Sequence, residues 1–148
     1  MPILNVRVPE AAFSDEQRAR IVADLTEAIA AAEQIPDDPI KRSRVVVIWE
    51  EIPQGRVYAN ATDVSGLGVP VFLELQPPQQ ALTEEHAATF GAAVEAIFQH
   101  HASEGQAVLT SVIMSDVTDG RWAISGEISR IADFARTAGY AHLQHLVS

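Results

Sequence analysis

The 148-residue chain contains no cysteine, which excludes a disulfide scaffold and a thiolate zinc site. Positive charge is scarce: ten basic residues stand against twenty acidic ones, for a formal charge of −10. A chain of that sign repels phosphate backbones unless it concentrates its cations on one face, so nucleic acid is not an expected partner. Apolar runs are short. None approaches the roughly 18 consecutive residues of a membrane span, so no membrane partner is expected. The first residues, Met1-Pro2-Ile3-Leu4-Asn5-Val6-Arg7-Val8, lack the basic and long apolar regions of a secretory leader, and a cytoplasmic location is the expectation. Gly66-Leu67-Gly68 lacks the third glycine of a dinucleotide loop and precedes a strand instead of following one. With no Walker sequence and no Gly-x-Ser-x-Gly elbow either, no cofactor is expected.

What remains is ordinary globular material, 47% apolar and 20% charged. The length fits one domain or two small repeated halves. One feature is uneven. Lys41 is the sole lysine, so arginine supplies the other nine cations. Arginine's rigid fork suits bidentate binding of carboxylates, while packing of its apolar stem is an equally simple use.

Leu4, Val6 and Val8 alternate with Asn5 and Arg7 at the period of a half-buried strand that Pro9 stops. Ser14-Asp15-Glu16-Gln17 reads as a capping box, and Ile21, Val22, Leu25, Ala28, Ile29 and Ala32 follow as one helical stripe up to Pro36. Arg44 to Ile52 is β-branched and fits a buried strand, closed by Pro53-Gln54-Gly55. Asp63 to Gly68 reads as a linker. The order then recurs: a strand from Val69 to Leu75, a break at Pro77-Pro78, and a helix opened by Thr83-Glu84-Glu85 with Phe90, Val94, Ile97 and Phe98 on one face. A strand from Val108 to Met114 follows, and Gly120-Arg121 echoes Gly55-Arg56.

These halves predict an α+β fold of duplicated β-α-β units, with one four-stranded sheet and two helices on one face. Each crossover makes its own two strands parallel. The expected boundaries are about 1–66 and 67–127 for the repeats within a single domain, then a tail over 128–148. A helix through Ile128, Ile131 and Phe134 is expected there, ending at Gly139. The second sheet face, carrying Val45, Val47 or their alternates, is too apolar to leave in water, and a homo-oligomer is its simplest cover.

The set resembles the tautomerase superfamily typified by 4-oxalocrotonate tautomerase, a tautomerase/MIF-like fold. The likeness runs from Met1-Pro2-Ile3 through Ser14-Asp15-Glu16-Gln17, resumes over Pro39-Ile40-Lys41-Arg42-Ser43-Arg44-Val45 and Glu51-Ile52-Pro53-Gln54-Gly55, and returns at Gly120-Arg121-Trp122-Ala123-Ile124-Ser125-Gly126-Glu127. The length resembles the longer, duplicated branch that includes malonate semialdehyde decarboxylase and the cis-3-chloroacrylic acid dehalogenases. That resemblance implies a homotrimer and a catalytic Pro2 whose ring nitrogen becomes the free amine once Met1 is removed. It implies Arg44 as a substrate-binding arginine. Arg56 and Arg7 are the other candidates for holding a small carboxylate-bearing substrate; the family's aromatic position falls on Val57 or Tyr58 in the first half, depending on register, and Trp122 matches it cleanly in the second.

The sequence departs from the family at three places. Ala11-Ala12-Phe13 stands where the family has a pre-helix arginine. Val69-Pro70-Val71-Phe72 replaces the His-x-x-Arg of the dehalogenases, so dehalogenation is not expected. Asp37 and Asp38 lie near, but out of register with, the decarboxylase aspartate. An ordinary α-amine titrates near 8, and burial or neighbouring arginines would lower it toward neutrality, where a base is most efficient. The primary expectation is a cofactor-independent keto–enol tautomerase acting on an unsaturated or enolic 2-oxo acid, with Pro2 as general base. Two alternatives stand beside it: a decarboxylase or hydratase using protonated Pro2, and a non-catalytic oligomeric ligand-binding module.

Overall fold

The computed structural model describes residues 1–147; Ser148, the end of the expected tail, lies outside the described residues. Strand β1 (Ile3–Pro9) buries Leu4, Val6 and Val8, as its alternation requires. Ser14 and Gln17 then close a reciprocal capping box at the start of helix α1 (Asp15–Ala32). The short α2 (Pro39–Arg42), capped by Asp38, leads into β2 (Val46–Ile52). After a small hairpin of β3 (Tyr58–Ala59) and β4 (Thr62–Asp63), the order repeats as β5 (Val69–Gln76), α3 (Glu84–His101) and β6 (Val108–Met114). The chain ends in a second hairpin, β7 (Trp122–Ile124) and β8 (Glu127–Ser129), helix α4 (Ile131–Ala138) and a 3-10 turn over Ala141–Leu146.

The four long strands form one mixed sheet in the order β2-β1-β5-β6. Both β-α-β pairs, β1 with β2 and β5 with β6, are parallel, and the two units meet at an antiparallel β1–β5 seam. Helices α1 and α3 cover one face, sinking Ile21, Leu25 and Ile29 from one and Phe90, Val94 and Phe98 from the other onto Leu4, Val6, Leu73 and Leu75. His101 accounts for itself here: its Nε2 lies 2.6 Å from Asp24 Oδ2, pinning α3 to α1. A second core gathers where the tail folds back. Phe134, Ala135, Ala138, Tyr140 and Leu143 pack on Ala30 and Ile35, and Met1 leans against them.

The sheet's other face is open. Ile48, Phe72, Leu109 and Ile113 are exposed on it, the last two by 65% and 61%. The alternates, not Val45 and Val47, supply β2's share of this face. Val45 and Val47 pack against the helix-side core, while Val46 pairs with Ile3 and Ile48 with Asn5 in the outward register.

The tail departs from expectation at Ile128, which pairs with Ala123 in a hairpin instead of entering a helix. Ser125 and Gly126, both at positive φ, make the two-residue turn that a right-twisted hairpin favours. Helix α4 starts only after Arg130, whose backbone N–H donates to Asp133 Oδ2 at 2.9 Å. Its end is as expected, with Gly139 left-handed at φ 72°. The stretch Tyr58–Asp63 makes a similar hairpin around Asn60 and Ala61.

The stripe of α1 should carry much of the stability. Leu25, fully buried at its centre, truncated to Ala should cost about 2–5 kcal/mol in urea unfolding. Loss of the Ser14 cap in Ser14→Ala should cost about 1 kcal/mol.

Candidate active site

The start of the chain is held inside the fold. Pro2 is buried, and its carbonyl accepts the N–H of Val46 at 3.0 Å, one step before the β1–β2 ladder begins. That bond sets Pro2 beside the entry to β2, where the turn after α2 delivers Arg44. The Arg44 and Val45 N–H groups donate back to the carbonyls of Lys41 and Arg42. Arg44, Met1, Ile124, Ser129, Phe134 and Thr137 are among the residues lining a pocket of about 360 Å³.

The Met1 amine donates to the Tyr140 hydroxyl at 3.2 Å. Burial lowers its pKa to about 6; the Arg44 guanidinium adds to this and Glu33 opposes it. Glu33, which follows α1 as its C-cap, is wholly buried. Burial pushes its carboxyl up to about 7, with Asp116 acting the same way, while the amine and Tyr140 pull it down. The Tyr140 hydroxyl lies close enough to Glu33 to interact with it, and burial followed by the Glu33 charge raises the phenol above its ordinary range. Yet neither Glu33 carboxyl oxygen has a donor in hydrogen-bond geometry. A buried carboxyl in that condition costs free energy unless it is neutral or finds a partner.

Of the residues the sequence singled out, Arg44 lines the pocket that Met1 lines, Pro2 adjoins Met1, and Trp122 lies in the apolar cluster behind Met1. Trp122 packs on Phe134, with ring centroids 5.1 Å apart, in the cluster that Met1 joins. Within one protomer the others lie elsewhere. Arg7 Nε bonds Glu50 Oε2 at 2.9 Å on the open sheet face. Arg56 lines a separate cleft of about 700 Å³ with Glu10, Phe13 and Pro53 at the far end of β1, about 20 Å along the strand from Ile3 at the usual rise per residue. Tyr58 is 61% exposed and donates to the Gly55 carbonyl at 2.7 Å.

Glu33 and Tyr140 were not foreseen. Glu33 had a sequence signal: it occupies the next step of the Ile21, Leu25, Ile29 series, an acidic residue on an otherwise buried stripe. Tyr140 had none, because only the fold-back of the tail brings it to the chain start.

Residues 2–64 match the family model described as tautomerase enzyme. The "R7 fused 4-OT" wild-type asymmetric trimer matches with a TM-score of 0.66 at 18% identity, covering 85% of this chain and 94% of its own. Pt0534, solved after inactivation by 2-oxo-3-pentynoate, gives a TM-score of 0.64 at 17% identity, covering 86% of this chain and 94% of its own. RhCC from Rhodococcus jostii RHA1 gives 0.64 at 16% identity, with coverage of 95% and 94%. No curated protein is significantly similar in sequence. The chain has the tautomerase superfamily fold. None of its described helices is long and apolar enough to cross a membrane.

The buried carboxyl should show in the pH dependence of stability. Glu33 titrates near 7 when folded and near 4.3 when unfolded, so the unfolded chain loses its proton first. The Glu33 contribution therefore falls as pH rises from about 4.3 to 7. The Met1 amine, lowered to about 6, works oppositely, adding stability from about 6 to 8 where Met1 is retained. Glu33→Gln should remove the first leg alone. Urea unfolding should find the variant about 1–3 kcal/mol more stable than the parent at pH 8, with the gain vanishing by pH 4.

Proposed function

We propose that the protein is a cofactor-independent keto–enol tautomerase in which Pro2, freed by removal of Met1, acts as general base on a small enolic 2-oxo acid. The observation that carries this reading is the placement of Pro2: buried at the start of a central strand and bonded to Met1, which lines the same pocket as Arg44. A ring nitrogen exposed there by loss of Met1 would enter surroundings that already lower the amine of Met1. It could then take a proton from the carbon beside a carbonyl, with Arg44 holding the substrate carboxylate and countering the charge that develops.

A second reading has one observation of its own. The Glu33 charge favours the ammonium form of an amine at this place, which suits a decarboxylase or hydratase that uses protonated Pro2. The two readings differ in the amine's charge at neutral pH.

The open sheet face supports self-association as a homotrimer. Ile48, Phe72, Leu109 and Ile113 form an apolar surface that a lone protomer would leave in water. The fused 4-OT relative is a trimer by its description. In an assembly, Arg7, Arg56 and Tyr58 would be available to a neighbour's pocket. Light scattering should therefore give a trimer's mass, and Ile113→Glu on the open face should shift it toward the monomer.

Mass spectrometry of the native protein should show a chain beginning at Pro2. That form should tautomerise phenylenolpyruvate or 2-hydroxymuconate and become labelled on Pro2 by 2-oxo-3-pentynoate. Pro2→Ala should lose about 10²–10⁴-fold in kcat/KM, and Arg44→Ala should raise KM about tenfold or more. A retained Met1, or full activity in Pro2→Ala, would overturn the reading.

A further inference from the structure

Removing Met1 leaves a vacancy whose walls are known. The Met1 nitrogen stands three covalent bonds from the Pro2 nitrogen and donates to the Tyr140 hydroxyl at 3.2 Å. Arg44 borders the same pocket as Met1, and the Met1 side chain leans on the cluster that holds Phe134 and Trp122. A substrate replacing Met1 with its reacting carbon at the Pro2 nitrogen would thus carry its next polar atom toward Tyr140. Glu33 lies near enough to Tyr140 to interact with it; it is 0% exposed, and with Met1 in place neither carboxyl oxygen is hydrogen-bonded.

We infer that Glu33, acting through the neighbouring Tyr140 hydroxyl once that hydroxyl turns to it, is the acid arm of this site and selects a small 2-oxo acid whose carbonyl oxygen takes the place of the Met1 nitrogen. The inference rests on the proposal that Pro2 is the base. In enolisation the Pro2 nitrogen takes a proton from the carbon next to the carbonyl. The C–H electron pair becomes the C=C bond, and the carbonyl π pair moves onto oxygen. That oxygen receives the Tyr140 proton as Tyr140 takes one from Glu33. Ketonisation runs the same steps backward, with the Glu33 carboxylate accepting the enol proton by the same link. Atoms and charge balance: one proton enters at Pro2, one leaves at Glu33, and no further reactant is needed.

The surroundings of Glu33 fit an acid. Burial holds its carboxyl near 7, Asp116 pushes in the same direction, and the chain-start amine and Tyr140 oppose them. Arg44 acts on the amine. Near neutrality Glu33 therefore retains a proton that an exposed carboxyl would have lost.

The test is the pH dependence of phenylpyruvate enolisation by the Met1-free protein, in the parent, Glu33→Gln and Tyr140→Phe. The parent should lose activity above about pH 7 as Glu33 ionises. Glu33→Gln, nearly isosteric, should lower kcat about 100-fold with KM changed less than about threefold, and abolish that high-pH limb. Tyr140→Phe should lower kcat without removing Glu33, and it carries the test if Glu33→Gln fails to fold. An active parent with unchanged kcat and an unchanged high-pH limb in the folded variants would overturn the acid arm and leave the Pro2 reading standing. An inactive Met1-free parent would overturn both.

Discussion

The structure depends on carrying the chain terminus into its interior. Strand β1 is an inner strand of the sheet, flanked by parallel β2 and antiparallel β5. The bond from the Val46 N–H to the Pro2 carbonyl extends the pairing to the second residue, leaving little chain to reach solvent. A terminus ordinarily frays because nothing offsets the entropy of ordering it. Here the ladder orders it, and the tail covers it. Desolvation follows, and the amine is less basic than one in water.

That desolvation explains the company the amine keeps. A buried cation needs a nearby anion, and a buried acid needs a reason to remain. Glu33 and the amine each relieve the other, with Tyr140 between them and Arg44 leaning against the cation. The acidity of the chain as a whole plays no part in this balance. The excess of arginine over lysine narrows, within one protomer, to Arg44 at the pocket. Arg7 is engaged with Glu50, Arg18 and Arg20 pair with acids on their own helix, and Arg56 faces a different cleft.

The main sheet was legible because its signals are local. The period-two alternation of β1, the capping box at Ser14, the Thr83 cap and the left-handed Gly139 each act within a few residues. The short hairpins were missed for an opposite reason. Two- and three-residue strands carry too few residues to show a period, and each turn has only one of its two positive-φ positions marked, Asn60 beside Ala61 and Gly126 beside Ser125. The site was half legible. Pro2 and Arg44 lie at the chain start and the pocket beside it, but Glu33 and Tyr140 are joined across more than a hundred residues of chain by packing of α4 and the 3-10 turn onto Ala30 and Ile35. No local pattern encodes that pairing.

The most direct test of a buried, functional chain start is the titration of the terminal nitrogen, followed by nitrogen NMR in protein whose mass confirms that Pro2 is first. A pKa well below the ordinary value near 8 for an α-amine is the predicted result. A terminal nitrogen that titrates at or above the ordinary value would contradict the account.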